Sequence, residues 1–187
     1  MYKIILASNS PRRKELLRGL DIEFQVKIID GIDESYPADL PAHDTAEYIA
    51  VKKAEAYKAV IGSDELVITA DTVVVVDGEV LGKPTDEADA KLMLAKLSGK
   101  THQVVTGVCL TTDSRQHHFS VTTDVSFKVL ADAEIDYYVS HYHPLDKAGA
   151  YGIQEWIGYI GVRGLNGSYY NVMGLPVQRI YEELKKF

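Results

Sequence analysis

The chain has 187 residues, 46% of them hydrophobic and 25% charged, which suits one folded domain with a sizeable core and leaves a second independent domain cramped. A net charge of −7 argues against general affinity for nucleic acid or anionic membrane, because either needs a basic field. A single cysteine, Cys109, excludes a disulfide framework and suggests a reducing compartment. No apolar run approaches transmembrane length and the N-terminus lacks a signal-peptide layout, so a cytoplasmic protein is expected.

An apolar run from Ile4 to Ala7 reads as a buried strand, followed by a turn into a helix with Ser10 as N-cap and Pro11 at its first position. Gly19 is expected to close that helix in the left-handed conformation. Arg12-Arg13-Lys14 sits badly there: the N-terminal end of a helix already carries partial positive charge, and cations cost a few tenths to ~1 kcal/mol. A bound anion would remove the conflict, with backbone N–H groups of Ser8 to Ser10 and two guanidinium forks forming a phosphate site. A surface helix with stray basic residues is the plain alternative.

Phe24 to Ile29 reads as a short strand, leading into the acidic loop Asp30 to Ser35. Asp44-Thr45-Ala46-Glu47 has the spacing of a capping box and opens a helix running to about Ile61. Its apolar stripe comprises Ala46, Ile49, Ala50, Ala54, Tyr57, Val60 and Ile61. Lys53 falls inside the stripe and Lys52 outside it; a lysine so placed either snorkels or serves a site. Leu66 to Val76 is the strongest strand signal, apolar on both faces and so expected at the centre of a covered sheet. Asp77-Gly78 is a two-residue hairpin turn, and Glu79 to Gly82 returns antiparallel, which argues against a purely parallel sheet.

Thr85 is expected to cap a helix over Asp86 to Leu97. His102 to Leu110 and Phe119 to Val129 read as strands of a hairpin, and Asp132 caps a helix that presents Ile135, Tyr138, Val139 and Tyr142 and stops before Pro144. Leu145 to Pro176 is glycine-rich with interleaved aromatic residues, read as strands or loops folded back over a cleft. Pro176 starts a last amphipathic helix burying Val177, Ile180, Tyr181 and Leu184.

Asp71, a carboxylate among valines, is the first residue to weigh chemically, because an ionised acid in such a run needs cations, hydrogen bonds or a metal. The other reading is a half-solvated strand end. Asp33 and Glu34 offer the hard oxygen donors that magnesium or manganese prefers, and Lys83 beside Pro84 can reach a phosphate. Together with the helix start and Lys53, they suggest a diphosphate or triphosphate substrate and a divalent metal. The six histidines lack cysteine partners for a zinc site, and neither a Walker loop nor a dinucleotide fingerprint is present.

Five blocks in order resemble the Maf family of nucleotide pyrophosphatases: Ser8 to Leu17, Thr69 to Val74, Leu81-Gly82-Lys83-Pro84, Asp146 to Gln154, and Asn166-Gly167-Ser168-Tyr169 followed by Gly174-Leu175-Pro176. The resemblance spans residues 1–187 as one domain. It implies a mixed α/β fold similar to that of inosine triphosphate pyrophosphatases (the Maf/Ham fold), with an elongated twisted sheet, flanking helices and two lobes around a central cleft. It implies cleavage of a nucleoside triphosphate to the monophosphate and pyrophosphate with a divalent cation, Mg or Mn. In that scheme Asp71 is the general base and Glu34 a metal ligand, with Asp71 sharing the metal. Ser8, Arg12, Arg13, Lys53 and Lys83 are the triphosphate-binding set. Arg12, Thr72 and Gln154 match the subgroup acting on dTTP and UTP, against a sister subgroup acting on 7-methyl-GTP. A homodimer is the family-level expectation, and a non-catalytic nucleotide-binding regulator of cell division is the competing class.

Overall fold

A computed structural model describes residues 2–187. Its strands are β1 (Lys3–Leu6), β2 (Phe24–Val26), β3 (Glu65–Val76), β4 (Glu79–Leu81), β5 (Thr101–Thr111), β6 (Gln116–Phe127) and β7 (Val162–Asn166). Its α-helices are α1 (Pro11–Arg18), α2 (Thr45–Tyr57), α3 (Glu87–Leu97), α4 (Asp132–Tyr142), α5 (Trp156–Gly161), α6 (Tyr169–Met173) and α7 (Val177–Leu184). The strands form one seven-stranded sheet in the order β2-β1-β3-β5-β6-β7, with β4 paired to β3. The sheet is mixed, as the hairpin signal required: β1 lies parallel to β2 and β3, whereas β4 and β7 pair antiparallel with β3 and β6.

The chain divides into two compact units interleaved in sequence, one of residues 1–71, 106–121 and 174–187, the other of residues 72–105 and 122–173. In the first, β1 and β3 bring Ile5 and Val67 against Tyr57 of α2, and Cys109 packs on Ala50 and Ala54. Gly107 of β5 is required there, since a Cβ would stand 2.3 Å from the Ala46 and Glu47 backbone. In the second, Val74, Leu94, Leu97, Phe127, Tyr138 and Ile157 belong to one buried cluster. Each such aliphatic or aromatic side chain contributes about 1.5–3 kcal/mol by leaving water.

Local chemistry accounts for most element ends. Asp77 and Gly78 have φ of 51° and 79°, the two positive values that a tight hairpin between right-twisted strands requires. Ser10 does cap α1, its Oγ accepting the Arg13 N–H at 3.4 Å. Gly19, however, stays right-handed at φ −62°. The helix tightens instead, with Leu20 and Asp21 N–H donating to Leu17 and Arg18 carbonyls, and the positive φ falls at Asp21. Asp44 is no capping box either: it closes a short 3-10 turn, Ala42–Asp44, that runs straight into α2, while Glu47 is drawn 2.6 Å from His118 Nδ1.

Helix α2 ends at Tyr57, and Val60 is 54% exposed. Asp86, not Thr85, caps α3, its carboxylate accepting the Asp89 N–H at 2.8 Å. Residue 131, not Asp132, precedes the first turn of α4; Glu134 reaches back to accept the Ala131 N–H at 2.9 Å. The glycine-rich segment holds two helices, α5 and α6, besides the expected strand and turns. In α7 the buried positions are Val177, Ile180 and Glu183, with Tyr181 46% exposed. Glu183 is tolerated because Arg179, Lys186 and His117 lie 2.7, 2.8 and 3.1 Å from its carboxylate.

Candidate active site

The end of β1 and the first turn of α1 set the N-terminal part of the site. Ser8 is buried, its Oγ 3.3 Å from the Ser10 N–H, so its hydroxyl already organises the turn. No acid occupies the first turn of α1, and Arg12 and Arg13 are half-buried in it. The Arg13 fork donates from Nε to the Gly174 carbonyl at 2.8 Å and from Nη1 to the Ala70 carbonyl at 2.9 Å. Burial lowers the Arg13 pKa, the Asp71 charge opposes that shift and Arg12 adds to it. Arg13 therefore grips the backbone immediately before Asp71, a structural task that residue type alone did not reveal.

Asp71 lies on β3, neither at a strand end nor open to water: its side chain is 16% exposed. Lys53 from α2 meets it, Nζ to Oδ1 at 2.8 Å, and the same ammonium stands 3.1 Å from Glu34 Oε1. Lys53 is only 14% exposed, so it points inward as its place in the apolar stripe implies rather than snorkelling outward. The two acids of the loop take different partners. Asp33 is occupied by Lys52 Nζ at 2.7 Å and by the Ser35 backbone and hydroxyl, and the Lys52 hydrogen bond holds its carboxyl well below the usual range. Glu34 is the loop acid that joins Asp71 around one cation.

Thr72, Lys83 and Gln154 belong to the second unit. Lys83 is exposed just past β4, where Gly82 O accepts the Gly149 N–H at 3.0 Å and so ties two of the glycine motifs together. Gly149 has φ of 67°, and a Cβ there would meet Val74 Cγ2 at 2.7 Å. Gln154 sits in a turn before α5, its side-chain oxygen buried with no protein donor among the described residues.

Several polar groups here escaped sequence reading. Lys147, only 10% exposed in its side chain, lies between Asp146 at 2.8 Å and Glu155 at 3.2 Å. Buried Asn171 donates to Val104 O and Thr123 Oγ1, and its own N–H is received by Ser168 Oγ, so Ser168 and Asn171 anchor α6. Buried His102 sits 2.7 Å from Tyr151 Oη, and desolvation pushes its pKa down to about 4. Cys109 is fully buried with its thiol pushed up to about 11, which suits a core residue and not a nucleophile. Among the described residues no cluster of three or more His, Cys, Asp or Glu is arranged to hold a metal by itself, and no helix is long and apolar enough to cross a membrane.

A dTTP/UTP pyrophosphatase of Phocaeicola vulgatus is 65% identical over 185 residues, covering 99% of this chain and 96% of that protein. The dTTP/UTP pyrophosphatase of Bacteroides thetaiotaomicron is 58% identical over the same shares, 99% and 96%. Among solved structures, the Staphylococcus aureus Ham1 protein aligns with 70% of this chain and 72% of its own at 22% identity and a TM-score of 0.48. The Maf-like protein family matches residues 3–187. This chain belongs to the Maf family.

Proposed function

We propose that this protein hydrolyses dTTP and UTP to the nucleoside monophosphate and pyrophosphate. The observation that carries this reading is the convergence of Asp71 and Glu34 on Lys53 beside the cation-bearing start of α1. The names of the 65% and 58% identical relatives support the substrate class. The catalytic module extends over residues 3–187, the span of the family match.

The donor set fits a divalent cation. Two carboxylate oxygens already approach one positive centre at 2.8 and 3.1 Å, and magnesium or manganese typically takes one or two protein carboxylates with phosphate and water oxygens completing its shell. Glu34 and Asp71 would hold it, and it would polarise the phosphate undergoing attack. Asp71 accepts the proton of the attacking water, a role for which its oxygens are well placed because Arg13 fixes the preceding carbonyl. Lys53 stabilises the ionised carboxylates before substrate arrives and turns to phosphate oxygens when it does. Ser8, Arg12, Arg13 and Lys83 supply donors to the triphosphate, which neutralise charge developing on the leaving pyrophosphate. Thr72, Arg12 and Gln154 select the base, with the Gln154 amide able to donate and accept against a uracil or thymine edge.

A panel of nucleoside triphosphates assayed with magnesium for monophosphate and pyrophosphate tests the proposal. UTP and dTTP are expected to lead. A preference for 7-methyl-GTP would move the chain to the sister activity, and binding without turnover would make it a nucleotide-binding regulator.

A further inference from the structure

The segment that carries Glu34 has no helix or strand of its own between the end of β2 at Val26 and the 3-10 turn that starts at Ala42. Helix α2 holds it at two places. Near its start, Tyr57 Oη accepts the Ile29 N–H at 3.1 Å and donates to the Lys27 carbonyl at 2.9 Å, and Ile29 and Ile32 pack on the cluster of Ile5, Tyr57 and Val67. Further along the fastening is ionic: Lys52 Nζ donates to Asp33 Oδ2 and to the Ser35 carbonyl, both at 2.7 Å, and to Ser35 Oγ at 3.1 Å.

An ammonium has three donors, so Lys52 keeps none for a phosphate. All three go to the residues directly before and after Glu34. Asp33 and Ser35 are also tied to each other, the Asp33 carboxylate accepting the Ser35 N–H at 2.9 Å and the Ser35 hydroxyl at 2.8 Å. Successive helix positions differ in direction by about 100°, which lets Lys52 take the flanks of the loop while Lys53 meets Glu34 Oε1 at 3.1 Å and Asp71 Oδ1 at 2.8 Å.

Placement, more than stability, is what this ion pair supplies. The side chains of Lys52 and Asp33 are 29% and 69% exposed, and a pair so open to water adds little to the folding free energy. A loop with no ladder of its own nevertheless depends on such ties for its position, because few other contacts restrain it. We infer that Lys52 is a positioning residue that fastens Asp33 and Ser35 to α2 and so keeps Glu34 at the cation site beside Asp71, an inference that rests on the reading of Glu34 as a metal ligand.

The probe is manganese(II). Its affinity for the full chain is read from the electron paramagnetic resonance signal of free Mn²⁺ in the presence of α,β-methylene-UTP, which resists cleavage, with melting temperature as the folding control. Lys52→Met is expected to weaken Mn²⁺ binding about tenfold, the scale of a lost supporting contact around a metal, while the melting temperature stays within a few degrees. The sign is decisive, because removing a positive charge near a cation site would by its field alone tighten binding. Asp33→Ala releases the loop from its other end and should also weaken binding, which keeps the test decisive if the lysine variant folds poorly; field effects alone would move the two variants in opposite directions. Lys52→Arg keeps the charge and the donors and should retain most of the affinity. Glu34→Gln should itself weaken binding, and adding Lys52→Met to it should change nothing further, since Lys52 acts through Glu34. Unchanged or tighter binding in Lys52→Met while Glu34→Gln weakens it overturns the fastening alone, as does an equal loss from Lys52→Met when Glu34 is already replaced. If Glu34→Gln leaves the Mn²⁺ affinity intact, the metal-ligand reading falls and the role of Lys52 with it.

Discussion

Two lysines in this molecule each stand between two carboxylates, and they differ in what surrounds them. Lys53 is 2.8 Å from Asp71 and 3.1 Å from Glu34; Lys147 is 2.8 Å from Asp146 and 3.2 Å from Glu155. Side-chain exposures are similar too, 14% for Lys53 and 10% for Lys147. Glu155, however, also receives the hydroxyl of a buried tyrosine and belongs to a turn closed by its own backbone, so its charge is spent on architecture. Asp71 lies in a β-strand among valines and shares its ammonium with a loop acid that is 54% exposed. The lesson is that a buried ion pair does not announce its role: on the proposed mechanism the first arrangement exchanges its cation for other partners, while the second stays closed.

The largest effect that would break this contrast comes from Asp71→Asn. Steady-state turnover of UTP should fall by about 10³-fold or more, in the range of a lost general base, while the melting temperature stays within a few degrees. Near-normal turnover would place Asp71 with Glu155 as a scaffold acid. Lys147→Met should do the reverse. It leaves a charged Glu155 with its cation gone, costing about 2–3 kcal/mol of stability in denaturant titrations, and UTP turnover should fall by less than about tenfold.

A smaller effect concerns the reverse arrangement, the buried carboxylate of Glu183 among Arg179, Lys186 and His117. Its pKa is held down, first by the hydrogen bond from Lys186 and also by Arg179, to about 2. A depressed carboxylate contributes stability that is complete above its unfolded value near 4.5 and is lost as pH falls through the folded value near 2. Glu183→Gln should therefore lower stability by about 1–2 kcal/mol at pH 7, and the melting curves of wild type and variant should converge as pH drops from 5 towards 2. A constant gap across that range would show that Glu183 acts through packing alone.

Much of the fold was legible because local chemistry and periodicity agree. Asp77-Gly78, the β3 valine run and the stripe of α2 each combine a turn or face requirement with the residues that meet it. Two of the misread helix ends share a cause: at Asp44 and Gly19 the adjoining turn of chain competes for the same backbone groups, and 3-10 bonding wins over the expected cap. Helix α5 was hidden because its glycines serve close packing, as at Gly158, and so look like breakers in one dimension, and α6 is only five residues long, with Gly167 and Gly174 on either side of it. The candidate site was legible wherever a residue violated its surroundings, as Asp71, Lys53 and the basic α1 start do. Tyr138, Glu155 and Lys147 raise no such conflict in sequence; only their meeting across the turn gives them a role.

The central claim is that water activated by Asp71 cleaves the triphosphate to monophosphate and pyrophosphate, which we take to proceed by attack at the α-phosphate; it is tested most directly by running UTP hydrolysis in ¹⁸O-labelled water and locating the label by mass spectrometry. The account predicts one labelled oxygen in UMP and none in pyrophosphate, with the labelled UMP lost in Asp71→Asn. Label in pyrophosphate, or UDP and labelled phosphate as products, would contradict it.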